Sequence, residues 1–120
     1  MDTRKRIYQF AIEMIRFLDE LPKDLSVQVI SRQLLRSSTS IGANVVEAKA
    51  SSSRRDYTNY FNHALKSANE TKYWLDLLRD SGKAKGDCVD QLLKEADEIS
   101  KILASSILTL KGKRSFAKSL

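Results

Sequence analysis

Apolar side chains recur along this chain at steps of three and four, the spacing of helices that bury one face. Ile7, Phe10, Met14, Phe17 and Leu21 form the first stripe, with Ala11, Ile15 and Leu18 beside it, and Asp2 or Thr3 stands where a cap is needed. Pro22 ends that helix, because the residue before a proline is pushed out of helical backbone. A second helix is predicted to start near Asp24, with Val27, Ile30, Leu34, Ser38, Ile41, Val45 and Ala48 on one face. That face runs through "RSSTSIGANVVEA", whose serines, glycine and asparagine would otherwise suggest a loop. At 3.6 residues per turn the seven positions fall within about 40° of a common direction, which a loop has no reason to maintain. Only "SSSRRD" is left as a turn, with Ser52 or Ser53 capping the next helix.

A third helix is predicted from about Arg54 to Ser81. Tyr57, Phe61, Ala64, Leu65, Ala68, Leu75 and Leu78 point inward, and Tyr60, Ser67 and Trp74 widen that surface. "SGKAKGD" supplies a glycine C-cap and a turn, and Asp87 is read as the cap of a fourth helix. Its stripe is Val89, Leu92, Leu93, Ala96, Ile99, Leu103, Ser106 or Ile107, and Leu110, ending at Gly112. Four amphipathic helices joined by short turns predict an all-α, antiparallel up-and-down four-helix bundle with long helices 2 and 3.

Composition agrees. At 120 residues with four glycines and one proline, the chain fits one domain with few forced breaks. The expected division is a bundle over residues 1–111 and a basic tail over 112–120. No apolar run reaches the roughly 18 residues that cross a bilayer, and "MDTRKRIYQF" leads into an amphipathic pattern, so a soluble, cytoplasmic protein with no membrane partner is expected.

Chemistry has little to work with. "SIGAN" has one glycine and no following Lys-Ser/Thr, so it lacks the parts of a phosphate-cradling loop. Cys88 and His63 are the only residues of their types, which excludes an internal disulfide and thiolate or multi-histidine zinc sites. Cys88 is expected to be a partly buried, inert thiol and His63 a solvated or interface side chain. Glu47 and Glu70 lack the Glu-x-x-His partners of a bundle di-metal centre. No nucleophile, base and orienting group assemble, so no catalytic residue, metal or cofactor is expected and the protein reads as a non-enzyme.

Charge says more. Lys and Arg number 21 against 15 Asp and Glu, a net +6. The excess sits around Arg36–Arg55 and in the last ten residues, which carry four cations and no carboxylate. Such clusters attract polyanions through counterion release. The second helix adds two further strips. Leu35, Gly42 and Val46 lie on one flank, as the edge of a wide core or as a contact surface for another subunit. Gln33, Ser37, Ser40, Asn44 and Glu47 lie on the other, as a solvated face or as a hydrogen-bonded helix–helix seam.

"QLLRSSTSIGANVVEA" followed by "SRRDYTNYFNHALKSANETKYWLDLL" resembles the bacterial four-helix-bundle proteins encoded in intervening sequences of large-subunit ribosomal RNA genes. The matching residues are Gln33, Leu34, Arg36, Ser40, Ile41, Asn44 and Glu47, then Phe61, Ala64, Ser67, Glu70 and Leu75, within a resemblance covering about residues 5–110. The family often has glycine after that glutamate; Ala48 stands here, which implies a helix that continues further. The resemblance implies a homo-oligomeric ring, commonly a homopentamer. It also implies kinship with the accessory protein of diversity-generating retroelements, which binds nucleic acid and a reverse transcriptase.

The function expected from these readings is binding of RNA or other nucleic acid by charge and shape. Arg4, Lys5, Arg6, Arg32, Arg36, Arg54, Arg55, Lys111, Lys113, Arg114 and Lys118 would contact phosphates. The alternative is a structural or adaptor oligomer that binds a protein partner and no nucleic acid.

Overall fold

A computed structural model describes residues 2–113. Helix α1 spans Thr3–Asp19, α2 Leu25–Ala50, α3 Arg54–Asp80 and α4 Asp87–Leu108. Three starts carry side-chain caps that satisfy an otherwise orphaned backbone donor. Asp2 accepts from the Lys5 N–H at 2.9 Å, Asp24 from Val27 at 3.1 Å, and the Ser53 hydroxyl oxygen from Asp56 at 3.0 Å. The expected Asp87 cap is a correction: Gly86, at φ 87°, occupies the cap position without a side-chain bond, and Asp87 opens the helix itself. Together with Asp90, Asp87 still places negative charge in the first turn, where the helix dipole favours it.

The end of α3 shows why "SGK" stops a helix. Gly82 turns left-handed at φ 77°, its N–H reaches the Arg79 carbonyl, and the Lys83 N–H reaches back to Leu78. The stretch of small residues in α2 is helical to Ala50, with the Ser51 N–H returning to the Ala48 carbonyl, so Ala48 does extend the helix. After Leu108 the chain widens into a π-like turn, Thr109–Lys113, and Gly112 reverses it at φ 85°.

The helices pack α1 on α2, α2 on α3, α3 on α4 and α4 back on α1, with α2 and α3 sharing the most extensive contact. Met14, Leu34, Ile41, Phe61, Leu75, Ile99 and Leu103 are fully enclosed, and Ser106 and Ile107 are both buried on α4. Cys88 is exposed, not partly buried, because the first turn of α4 turns it away from the core stripe. Among the described residues no helix is long and apolar enough to cross a membrane.

The polar flank of α2 is a seam against α3. The Thr71 hydroxyl donates to Ser37 at 2.9 Å in a fully buried pair, and Ser40 and Ser67 share a hydrogen bond at 3.0 Å. The Asn44 amide donates to the Ser40 carbonyl and hydroxyl oxygens. Further along, Arg36 donates to Gln33 and to Glu70, and Glu70 also accepts from the Trp74 indole at 2.9 Å. The Ser37–Thr71, Ser40–Ser67 and Arg36–Glu70 pairs cross from one helix to the other and fix the register of the two longest helices. Glu47 is exposed and outside the network.

Gly42 is a point of close packing within the chain. A Cβ there would sit 3.3 Å from Ile7 Cγ2, so the missing side chain lets α1 of the same chain approach α2 closely. The close approach is intramolecular, although Gly42 also lines the surface groove beside it.

Two surface carboxylates tie stability to pH. The Lys83 ammonium, then the Val27 N–H, hold Asp24 below the ordinary carboxylate range, and Lys101, then Lys72, do the same for Asp97. A lowered folded-state pKa contributes stability that is present above the unfolded value, near 3.9, and disappears as pH falls through the folded value. The urea midpoint is therefore expected to drop between neutral pH and about pH 3, and to drop less in Asp97→Asn. An identical acid response in that variant would remove Asp97 from the account.

Candidate nucleic-acid interface

Alternating helix direction brings residues far apart in sequence to the same end of the bundle. One end collects the last turn of α2, the first turn of α3 and the turn after α4, and the start of α1 lies against the first of these. Lys49, Arg54, Arg55 and Lys111 come from the first three, and Arg4 and Lys5 from α1. Two observations fix this convergence. The Arg54 guanidinium donates to the carbonyl oxygens of Leu110 at 2.8 Å and Thr109 at 3.2 Å, joining the start of α3 to the end of α4. Arg4, Lys5 and Lys49 line the same groove mouth between α1 and α2.

The cations there do different work. Arg54 satisfies two carbonyls of the π-like turn at the C-terminal end of α4, a favourable place for positive charge. Lys49 donates to the Tyr57 hydroxyl at 2.6 Å. Its ammonium is 5.2 Å from the ring centroid, a distance that puts it beyond the hydroxyl, close to the ring plane, so the contact is a hydrogen bond and not a cation over the ring face. Arg4, Lys5, Arg55 and Lys111 are exposed. Asp2 and Asp56 are the acidic residues in the adjoining helix starts, and Asp2 is held below the ordinary carboxylate range chiefly by the Lys5 N–H it accepts.

The opposite end is neutralised. Arg79 pairs with Asp80 at 2.9 Å and Asp76 at 3.2 Å, and Lys83 pairs with Asp24 at 2.9 Å. The molecule is 46 Å long and about 22 Å across, and among the described residues it is basic at one end only.

The family model of the 23S rRNA-intervening sequence protein matches residues 1–105. The chain belongs to the 23S rRNA-intervening sequence protein family. A crystal structure of a protein of unknown function from the S23 ribosomal protein family of Bacteroides thetaiotaomicron VPI-5482 is similar to it, with 38% identity over 88% of this chain and 98% of that one, and a TM-score of 0.80. No curated protein matches the chain.

The remaining basic residues of this family member lie elsewhere or are engaged. Arg6 forms a two-pronged pair with Glu95, both bonds 2.7 Å, and the hydrogen-bonded carboxylate makes the guanidinium hold its proton more tightly than usual. Arg36 is engaged by Gln33 and Glu70 in the seam. Arg32 is exposed on α2, away from the basic end. Arg114, Lys118 and the side chain of Lys113 lie outside the described residues. Sequence reading missed Lys49, and the signal that finds it is its place in the last turn of a helix whose end meets two others.

Leu35 and Val46 are 43% and 57% exposed, so they do not widen the core. With Tyr8 and Ile15 of α1, Val46 edges the α1–α2 groove, whose lining also includes Ala11, Ile12 and Ala43.

Proposed function

We propose that this member of the 23S rRNA-intervening sequence protein family is a non-enzymatic homo-oligomer that binds nucleic acid, RNA above all, through the basic end of its bundle. The observation that carries the reading is the convergence of Lys49, Arg55 and Lys111, with Arg4 and Lys5 beside them, from separate parts of the sequence onto one end. The perturbed carboxylates Asp2, Asp24 and Asp97 are helix caps and surface ion pairs, so the fold accounts for them without a catalytic role.

Assembly is supported by two unlike apolar surfaces. One is the α1–α2 groove with Tyr8, Ile15 and Val46; the other is the face of α2 and α3 that exposes Leu25, Val29, Tyr73 and Leu77. Apolar patches rimmed by polar residues mark interaction surfaces. Two different patches on one chain suit head-to-tail contacts, which close into a ring when the rotation allows, and five copies is the number the family resemblance suggests. A ring would repeat the basic end around one axis and strengthen its field.

A mobility-shift titration with a structured RNA tests the function. Retardation is expected at about 50 mM salt and its loss toward about 200 mM, because each phosphate contact releases counterions. No retardation at the low-salt limit would leave the protein-partner role in its place.

A further inference from the structure

We infer that Tyr8 is a stacking platform for an unpaired base of a bound RNA, with Arg4, Lys5 and Lys49 on the flanking phosphates, an inference that rests on the proposed nucleic-acid binding. Proteins that hold unpaired nucleotides combine cations along the strand with aromatic faces on which bases stack. Tyr8 is 70% exposed, and among the described residues its side chain has no hydrogen bond or ring partner. Arg4 and Lys5 stand four and three residues before it, the spacing that sets side chains next to one another on a helix surface. Both are exposed, and Lys49 of α2 lines the same groove with all three, its ammonium bonded to the Tyr57 hydroxyl at 2.6 Å.

The other tyrosines lack this combination. Tyr73 is 59% exposed, but its neighbours three residues away on either side are Glu70 and Asp76, whose carboxylates repel a phosphate backbone. Tyr57 lies parallel on Phe61, ring centroids 4.9 Å apart and planes 14° apart, and Tyr60 is half-buried against the core. The groove itself changes character along its length. Its lining cations are all at the mouth, and beyond Tyr8 the α1 side runs through Ala11, Ile12 and Ile15 with no charged residue. The mouth therefore suits a nucleic-acid strand, and the apolar length a neighbouring copy. Arg55 and Lys111, exposed at the same end of the bundle, supply charge for an adjoining duplex, so a junction of paired and unpaired nucleotides engages both chemistries.

Fluorescence anisotropy on the full chain tests this with an RNA duplex of about 15 base pairs that carries a 3′ overhang of about four nucleotides, against the same duplex with an abasic overhang, which keeps the phosphates and removes the bases. At about 50 mM salt the base-bearing overhang is expected to bind at least about fivefold more tightly than the abasic one. Tyr8→Ala is expected to abolish that difference, Tyr8→Phe to preserve it because the stacking face remains, and Tyr73→Ala to leave it unchanged. An altered assembly would weaken both overhangs alike, so the ratio isolates the stack. Equal affinity for the two overhangs, a difference that survives in Tyr8→Ala, or one lost equally in Tyr73→Ala would overturn the stack and leave nucleic-acid binding by charge standing. Binding of neither duplex would overturn both.

Discussion

Phe61→Ala is expected to cost about 3–5 kcal/mol of folding stability, the largest loss foreseen for a single substitution here. Phe61 is fully enclosed on α3, the helix that contacts both α2 and α4, and its ring carries the parallel Tyr57 ring. Removing it deletes transfer free energy and leaves a cavity that long, paired helices cannot collapse without breaking the Ser37–Thr71 and Ser40–Ser67 bonds. Urea unfolding monitored by circular dichroism measures the loss. A change below about 1 kcal/mol would mean that the site repacks freely and that α3 does not organise the bundle.

Ile15→Asp combined with Val46→Asp is expected to take the assembly apart while sparing the fold. Both positions are substantially exposed on the single chain, so the new carboxylates stay hydrated there and the helix content should hold. In a covered groove the same carboxylates would be buried without partners, at a cost of several kcal/mol per charge, which weakens association by at least about a hundredfold. Light scattering should then give a mass near the 13.6 kDa of one chain, against a multiple of it for the unaltered protein. A multiple that survives in the double variant would remove the α1–α2 groove from the interface.

The helices were legible because burial repeats at the helical period wherever a face is enclosed. Ser38, Ile41, Val45 and Ala48 kept that period through a segment whose composition suggested a loop, and α2 runs through it to Ala50. The polar flank was legible in part: Ser37 and Ser40 entered the seam, with Asn44 bonded to Ser40 beside them, but the partners Thr71 and Ser67 could be assigned only once the register of α2 against α3 was known.

Glycines were harder, because sequence marks the freedom and not its use. Gly86 displaced Asp87 from the cap of α4, and Gly42 admits Ile7 of its own chain. The basic cluster was the least legible feature. Net charge located cations along the chain, but an arginine's reach allows it to be consumed by a neighbour that sequence does not reveal. Arg6 went to Glu95, Arg36 to Glu70, and Arg54 to carbonyls of the turn that follows α4. What remained at one end depended on which helix termini meet there, a property of topology and not of any local pattern.

The central claim is that the cations of this one end make the phosphate contacts, and the salt dependence of duplex RNA binding tests it most directly. Each phosphate contact adds about 0.9 to the slope of log affinity against log salt, so Arg55→Ala with Lys111→Ala is expected to flatten that slope by about two per bound chain, while Arg32→Ala leaves it unchanged. A slope that holds in the double variant and falls in Arg32→Ala would place the interface on the side of α2 and contradict the account.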